Sequence, residues 1–212
     1  MKAILIPVKT FRDSKTRLAP HFSADARAAL ADALCEDFFR VVAHVTGATR
    51  VFVASHEPVA LERARSHGWD IIVETEQISE SRSVDAASRF CEAQGVNALL
   101  RLPMDLPLIT ADDIDALLAE SENPPFTLLV PSHDGTGTNA LLRSAPTLFP
   151  SHFGPNSLAR HLEEAERRNA RVKILRNANI GYDVDELADL RAVAGRMRHD
   201  SATARWILRH RP

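Results

Sequence analysis

The sequence predicts an α/β fold in which helices cover both faces of a parallel or mostly parallel sheet. Short runs rich in Val, Ile and Leu alternate with longer stretches whose apolar residues recur every three or four positions. The chain has 212 residues, of which 45% are hydrophobic, so it can bury a substantial core. Since no internal repeat or low-complexity linker divides it, residues 1–212 are predicted to form a single domain.

The individual elements follow from apolar periodicity and from residues that start or stop helices. Ser23 is a good helix cap, Gly47 ends the helix that follows, and Thr110 and Asp113 have the spacing of a capping box. The predicted strands are Ala3–Ile6, Arg50–Ala54, Ile71–Val73, Ala98–Leu102, Thr127–Val130, Asn139–Leu142 and Arg171–Ile174. The predicted helices are Ser23–Val45, Pro58–His67, Val84–Ala93, Thr110–Ala119, Asn156–Asn169 and most of the chain from Glu186.

Charge and composition exclude several classes of protein. The formal net charge of −2 argues against a surface built to bind nucleic acid or an anionic membrane. No apolar run approaches the roughly 20 residues that a membrane-spanning helix needs, and the first apolar run is too short for a signal peptide. Cys35 and Cys91 lie in apolar or helical stretches, so both are expected to be buried thiols in a reducing compartment. These features together predict a cytoplasmic protein.

A basic loop follows the first strand, where ligands of α/β sheets bind. Residues 7–20 include Lys9, Arg12, Lys15 and Arg17. Cations at this position can hold a triphosphate and neutralise charge during group transfer. The loop lacks the glycine-rich spacing of a P-loop, and a merely solvated basic loop is the alternative interpretation.

Carboxylates follow two other predicted strands. Asp105 lies between Pro103 and Pro107, which fix the backbone, so it is a natural magnesium ligand unless it only forms a turn. Asp183 and Asp185 are two residues apart in an extended segment and therefore point the same way. They can share a divalent ion with each other or with Asp105, although Asp185 can also cap the next helix. The acidic residues at the start of an earlier helix are interpreted as structural: Asp112, Asp113 and Asp115.

Two segments rich in small residues can approach a ligand closely. Residues 131–139 can donate amides and hydroxyls to an oxyanion, although Asp134-Gly135 is also typical of a hairpin turn. Residues 153–157 open a helix whose free amides can hold an anion, or which Asn156 or Ser157 can cap. The histidines have no metal-ligand spacing and are expected at the surface or in packing.

Several of these segments, taken together and in this order, resemble one family. They are Ile6-Pro-Val-Lys-Thr-Phe with Ser-Lys-Thr-Arg-Leu-Ala-Pro20, Leu102-Pro-Met-Asp-Leu-Pro-Leu108, Gly137-Thr-Asn-Ala-Leu-Leu142, Phe153-Gly-Pro-Asn-Ser157 and Gly181-Tyr-Asp-Val-Asp185. From about residue 2 to residue 190 the chain resembles the CofC/FbiD family, guanylyltransferases of coenzyme F-420 biosynthesis.

The resemblance implies a MobA-like nucleotidyltransferase fold, a three-layer αβα sandwich with a mixed sheet. It implies that the guanylyl group of GTP is transferred to the phosphate of 2-phospho-L-lactate, phosphoenolpyruvate or 3-phospho-D-glycerate, with release of pyrophosphate. A downstream deazaflavin transferase would take the product onward. Matched by motif, the resemblance implies that Mg²⁺ is held by Asp105, Asp183 and Asp185, and that the acceptor is held by Thr138, Gly154 and Ser157. It implies that Lys15 and Arg17 bind phosphates and act in catalysis together with Asp105. Pro7 and Val8 are implied to lie near the nucleotide.

One stretch departs from the family pattern. Residues 82–86 read Arg-Ser-Val-Asp-Ala where many members have Gly-Leu-Asn-Ala, so Asp85 stands about where an asparagine lies near the nucleotide. An aspartate there can accept hydrogen bonds from guanine. Two other interpretations stay open at this point. One is a MobA-like transferase with another acceptor, although such enzymes favour a glycine-rich first loop. The other is a non-catalytic nucleotide-binding regulator, although all three candidate metal ligands are present.

Overall fold

A computed structural model describes residues 1–211 and shows a seven-stranded sheet. The strands are β1 (Lys2–Val8), β2 (Arg50–Ser55), β3 (Asp70–Val73), β4 (Ala98–Arg101), β5 (Phe126–Pro131), β6 (Thr138–Ser144) and β7 (Arg171–Ile174). The helices are α1 (Ala24–Val42), α2 (Pro58–Ser66), α3 (Glu80–Ala93), α4 (Ala111–Ala119), α5 (Ser157–Arg167), α6 (Leu187–Ala194) and α7 (Ala202–His210). Pro212, the last residue of the predicted domain, lies outside the described residues.

The strand order explains why ligand-binding loops meet at one edge. The order is β3-β2-β1-β4-β6-β5-β7. β1 pairs in parallel with both β2 and β4, so the chain reverses its direction of winding beside β1. β6 runs antiparallel to β4 and β5, while β7 is parallel to β5. The sheet is therefore mixed and mostly parallel as predicted, and the carboxyl ends of β1 and β4 lie side by side at a topological switch point.

Alternation along the buried strands builds a core on each face of the sheet. On β1, Ile4 and Ile6 pack in a cluster with α1, α2 and α4, whereas Ala3 and Leu5 point the other way and pack with α3. Leu129 of β5 continues that second face and packs with α5. Helices therefore lie on both faces of one sheet, which confirms the three-layer arrangement.

The C-terminal helices pack on the outer side of α1. Leu190 of α6 and Trp206 of α7 share an apolar cluster with Leu34. The Asp37 carboxylate of α1 accepts the backbone N–H groups of Ala202 (2.8 Å) and Thr203 (2.7 Å), the first two residues of α7. The tail is thus attached to its own sheet domain by both apolar packing and a charged cap.

Local differences from the predicted elements have simple causes. The third helix begins at Glu80 rather than Val84, because the Ser79 hydroxyl accepts the backbone N–H of Arg82 and caps an earlier turn. The chain from Glu186 forms two helices separated by residues 195–201. Cys35 and Cys91 are free and buried, as predicted. Within residues 1–211, no helix combines the length and apolar character that crossing a membrane requires.

Replacing Asp37 with Ala should lower the free energy of unfolding by about 1 kcal/mol, because two N–H groups at the start of α7 lose their acceptor. Urea denaturation measures this change. Glu166→Ala is the control, because Glu166 is exposed on α5 and its substitution removes the same charge. Equal stability of the two variants would contradict a capping role for Asp37.

Candidate active site

The basic loop after β1 is held by two apolar anchors with Lys15 between them. Phe11 is buried in the core cluster beneath the sheet, and Leu18 is buried in the cluster shared by α1, α6 and α7. Two 3-10 turns, Phe11–Asp13 and Thr16–Leu18, carry these anchors. Lys15 adopts a left-handed conformation (φ 54°, ψ 38°), which a residue with a side chain adopts only when its surroundings hold it there.

The surroundings that hold Lys15 are carboxylates from two distant loops. Its Nζ donates to Asp105 Oδ2 (2.5 Å) and to Asp185 Oδ1 (3.3 Å), and its side chain is only 5% exposed. Burial acts to lower the pKa of the Lys15 ammonium, but the charges of Asp105 and Asp185 outweigh burial and raise it. Lys15 is therefore a buried cation held between two carboxylates.

Arg17 lies on the open side of the same cluster. Its Nη1 is 3.3 Å from Asp185 Oδ2 and 3.9 Å from Glu186 Oε1. The Arg17 side chain is 61% exposed. The two predicted phosphate-binding cations thus share Asp185, and one of them is buried while the other is exposed.

Backbone contacts fix the carboxylate segments against one another. The N–H of Val184 donates to the carbonyl of Asp105 (3.1 Å), which ties the loop after β4 to the segment of residues 181–185. Oδ1 of Asp105 is buried and has no hydrogen-bond partner within the described part of the chain. Such an atom needs a partner, since an unpaired buried carboxylate oxygen is costly.

Asp183 lies beside Asp105 and is oriented by β6. The amide of Asn139 donates to Asp183 Oδ1 (3.1 Å) and to the carbonyl of Ile180 (2.8 Å). Burial, and next to it the charge of Asp105, raise the pKa of Asp183 to about 6. The site therefore concentrates negative charge in a poorly solvated space. Among residues 1–211, no three His, Cys, Asp or Glu side chains stand ready to enclose a metal ion, and Lys15 Nζ lies between two of the carboxylates.

The predicted acceptor residues lie at the start of β6 and at the start of α5. Thr138 and Ser157 are both buried, and Gly154 is exposed with φ +108°, a conformation that disfavours any side chain. The N–H of Leu158 donates to the carbonyl of Thr136 (3.1 Å), so the start of α5 is fixed to the strand that carries Thr138. Thr138 Oγ1 lies 3.1 Å from Nδ1 of His161, one turn after Ser157 on the same helix.

A buried arginine lies beneath this acceptor region. Arg101, the last residue of β4, is 4% exposed, stacks on the Phe153 ring at 3.9 Å, and donates to the carbonyl of Asn139 (3.3 Å). It also forms an ion pair with Glu80. Burial lowers the pKa of Arg101 to about 9, while the charges of Asp105 and Asp183 act against that shift. The guanidinium is thus a fixed positive charge next to the residues predicted to hold the acceptor.

The residues predicted to lie near the nucleotide, Pro7, Val8 and Asp85, are on β1 and α3. The carbonyl of Val8 accepts from Ser55 Oγ (2.8 Å) and Gln77 Nε2 (2.9 Å), which joins the end of β1 to the segment after β3. Asp85 lines a cavity of about 590 Å³ between that segment and α3. Oδ1 of Asp85 accepts the N–H of Ser151 (2.9 Å), so part of its carboxylate is already used within the protein.

Three of the alternative interpretations are now decided. Asp185 does not cap the following helix, because Glu186 and Asp189 form that capping box and Asp185 faces Lys15. Asn156 occupies the cap position of α5 with φ +55°, yet neither its side chain nor that of Ser157 caps the helix. Asp134 does form the turn between β5 and β6, since its carboxylate accepts from Ser132 and Thr136.

Two of the acidic residues at the start of α4, Asp113 and Asp115, are structural, as predicted. Asp113 forms the capping box with Thr110 and also accepts from Asn177 (2.7 Å). Asp115 accepts the N–H of Gly47 (2.7 Å) and fixes the turn after α1. Neither carboxylate is directed at the cluster around Lys15.

Sequence reasoning did not assign roles to three residues at the site: Asn139, Arg101 and His161. Asn139 lies inside a motif quoted above and Arg101 directly precedes another, so the signal was a polar residue inside a predicted strand. His161 follows Ser157 by four positions, which places both on one face of a helix.

Comparisons with known proteins agree with this geometry. A family model described as "Guanylyl transferase CofC like" matches residues 1–209. A phosphoenolpyruvate guanylyltransferase of Rubrobacter xylanophilus is 36% identical over 188 residues, which cover 88% of this chain and 90% of the relative. One of Roseiflexus castenholzii is 33% identical over 198 residues, covering 93% and 90%.

Solved structures share the fold at low sequence identity. A protein of Desulfovibrio desulfuricans classed as a nucleotide-diphospho-sugar transferase has a TM-score of 0.80 at 16% identity and covers 99% of this chain and 95% of its own. A nucleotidyl transferase of Methanothermobacter thermautotroptrophicus has a TM-score of 0.65 at 11% identity, covering 92% and 97%. At these identities the likeness shows the fold alone, and it is the MobA-like nucleotidyltransferase fold that the sequence predicted.

Replacing Asp183 with Asn should remove a pH-dependent loss of stability. The pKa of Asp183 is higher in the folded protein than in the unfolded chain. The contribution of Asp183 to the free energy of unfolding is therefore favourable below about pH 4 and is lost as the pH rises through about 6. The free energy of unfolding of the variant minus that of the wild type should grow by about 1 to 3 kcal/mol between pH 4 and pH 7. Urea denaturation with a chelator present measures this difference, and a difference that is constant or falls with pH would contradict the assignment.

Proposed function

This chain belongs to the CofC-like family of guanylyl transferases, and we propose that it transfers the guanylyl group of GTP to phosphoenolpyruvate in the biosynthesis of coenzyme F-420. Pyrophosphate is the second product. The observation that carries this proposal is the cluster of Lys15, Asp105, Asp183 and Asp185, which three remote loops bring together at the switch point of the sheet. Its product would pass to a downstream deazaflavin transferase.

The choice of acceptor rests on the relatives and on the charge of the site. The relatives that match most of this chain bear the name phosphoenolpyruvate guanylyltransferase. Phosphoenolpyruvate carries a carboxylate and a phosphate on a short rigid frame. Thr138 and Ser157 offer hydroxyls, and Arg101 supplies a buried positive charge near them. This combination suits a small acid with two anionic groups better than a neutral sugar.

The carboxylates also suit a divalent cation. Oδ1 of Asp105 is buried without a partner within residues 1–211, and the charge of Asp105 contributes to the raised pKa of Asp183. A donor set made of carboxylate oxygens is the one that Mg²⁺ prefers in proteins. We propose that Asp105, Asp183 and Asp185 hold Mg²⁺, with Lys15 released from its present ion pairs toward a phosphate. When bound, Mg²⁺ supplies charge neutralisation between two anionic substrates and alignment of the reacting groups.

The reaction needs little proton transfer. A phosphate oxygen of the acceptor, already an anion, forms a bond to the α-phosphorus of GTP. The bond from that phosphorus to the oxygen bridging the α- and β-phosphates breaks, and pyrophosphate leaves with the electron pair. Lys15 and Arg17 stabilise the charge that develops on pyrophosphate, while Thr138, Gly154 and Ser157 hold the acceptor in line. Burial of Lys15 makes its charge more effective, because few water molecules screen it.

The nucleotide base is proposed to lie toward the cavity beside Asp85. Asp85 uses Oδ1 for the Ser151 N–H, and no hydrogen bond within residues 1–211 uses its Oδ2. A carboxylate oxygen can accept hydrogen bonds from the N1–H and the 2-amino group of guanine, whereas adenine has an unprotonated N1 and no 2-amino group. Pro7 and Val8 form the adjoining end of β1.

A competition assay tests the proposed activity. Purified protein, GTP and Mg²⁺ are mixed with equal amounts of phosphoenolpyruvate, 2-phospho-L-lactate and 3-phospho-D-glycerate, and the downstream deazaflavin transferase traps the products for mass spectrometry. The expected result is one dominant product derived from phosphoenolpyruvate. Dominance of another acid would change the acceptor, and GTP binding without any product would contradict the activity.

The matched control compares two aspartates. Asp105→Ala should lower turnover by about 100-fold or more, because loss of one ligand or charge at such a centre costs about 3 kcal/mol or more. Asp112→Ala should keep full turnover, since Asp112 is exposed at the start of α4 and away from the cluster. Circular dichroism checks that both variants are folded.

Replacing Asp85 with Asn keeps an oxygen for the Ser151 N–H but removes the charge. If the carboxylate accepts from guanine, the ratio of kcat/KM for GTP over ATP should fall about tenfold. An unchanged ratio would restrict Asp85 to its contact with Ser151.

A further inference from the structure

His161 is a buried side chain whose two ring nitrogens both have fixed partners. It has no solvent-exposed surface and lies under the acceptor region on α5. Nε2 accepts the backbone N–H of His152 at 2.9 Å. Nδ1 lies 3.1 Å from the hydroxyl oxygen of Thr138. The Phe149 and Phe153 rings enclose the imidazole at centroid distances of 6.2 Å and 5.1 Å.

These partners allow one protonation state. A backbone N–H can only donate, so Nε2 must present its lone pair to His152. The neutral ring then carries its proton on Nδ1. A doubly protonated ring would set two N–H groups against each other, and burial, together with the nearby Arg143, lowers the pKa of His161 to about 3. His161 therefore donates from Nδ1, and the Thr138 oxygen accepts.

The protonation state of His161 determines how the Thr138 hydroxyl forms hydrogen bonds. Its oxygen is occupied as an acceptor by His161, so its own proton must point elsewhere. Within residues 1–211, that hydroxyl donates to no protein acceptor, although Thr138 is almost fully buried. A buried hydroxyl with a free proton needs an acceptor, which a bound ligand can provide.

We propose that His161 is a positioning residue that fixes the Thr138 hydroxyl as a hydrogen-bond donor reserved for an oxyanion of the acceptor acid. The proposal rests on the proposed function, since it concerns recognition of that acceptor. It commits the site to a ligand oxygen that accepts, such as a carboxylate or phosphate oxygen.

Two substitutions of His161 separate its two contacts. The amide nitrogen of Asn stands near the position of Nδ1, so His161→Asn can still donate to Thr138 but does not reach the His152 N–H. The amide oxygen of Gln stands near the position of Nε2, so His161→Gln can still accept from His152 but does not reach Thr138. Asn is the smaller residue and the poorer helix former. A purely structural role for His161 therefore predicts that Asn is the more damaging change.

The proposal predicts the opposite order for the acceptor. In steady-state assays, His161→Gln should raise the KM for phosphoenolpyruvate about tenfold or more, with a smaller change in the KM for GTP. His161→Asn should raise the KM for phosphoenolpyruvate clearly less than His161→Gln does, even though we expect thermal unfolding to show that the Asn variant is the less stable of the two. Equal acceptor KM values for the two variants, or a larger value for Asn, would overturn the proposal.

A double substitution tests whether His161 acts through Thr138. Thr138→Val should raise the acceptor KM about as much as His161→Gln, and the double variant should add little to Thr138→Val, because His161 acts only through the hydroxyl that this variant lacks. Independent, multiplicative effects would show that His161 acts by another route.

The protonation state can be measured without turnover. In ¹⁵N-histidine NMR of the ligand-free protein, His161 should show a protonated Nδ1 and an unprotonated Nε2 at pH 7. Addition of phosphoenolpyruvate should shift the Nδ1 signal, since a bound oxyanion polarises the Thr138 hydroxyl. The opposite tautomer would overturn the proposal whatever the activity. The expected tautomer in a protein that makes no product would instead count against the proposed function.

Discussion

The ion pairs of Lys15 with Asp105 and Asp185 are the contacts on which the arrangement of this site depends. They join side chains that are 90 and 170 positions apart in the chain. Asp105 and Asp183 are directed into a poorly solvated space, where like charges repel strongly. A buried ammonium between the carboxylates offsets this repulsion and allows three loops to converge before any substrate arrives. Phe11 and Leu18 keep Lys15 there by anchoring its loop in two different apolar clusters.

The two sides of the site differ in how rigidly they are built. On the acceptor side, Arg101, Thr138 and His161 are buried and hydrogen-bonded to neighbouring elements. On the phosphate side, Arg17 is mostly exposed. This difference suits an in-line displacement, because the attacking acid must be held in one orientation while pyrophosphate has to leave. In the proposed reaction, the buried residues would orient the acceptor, whereas pyrophosphate would leave past the exposed Arg17.

The sequence predicted the fold well because its signals are local. Strand and helix periodicity, Ser23 and the Thr110–Asp113 capping box each act within a few residues. The prediction that Gly47 ends the first helix was wrong, because that helix ends at Val42 with Ala43 as its cap. The site was predicted less completely, because its contacts join remote segments. Four acidic residues follow one another from Asp183 to Asp189, and their sequence alone does not decide which one caps α6 and which one faces Lys15. His161 was missed for the same reason, since its partner Thr138 is 23 positions away.

Asp85, where the sequence departs from the family pattern, makes structural contacts that do not involve the nucleotide base. The first turns of α3 contact the segment before α5 at two points: Ser81 Oγ accepts the N–H of Phe153 (2.9 Å), and Asp85 accepts the N–H of Ser151 (2.9 Å). Glu80, at the start of the same helix, pairs with Arg101. Asp85 Oδ1 also lies 3.9 Å from the buried guanidinium of Arg143, which the charge of an aspartate compensates and a neutral asparagine does not. The helix that lines the cavity proposed for the nucleotide is thus attached to the segment proposed to hold the acceptor. In that proposal, a change at Asp85 alters the acceptor segment as well as the nucleotide cavity.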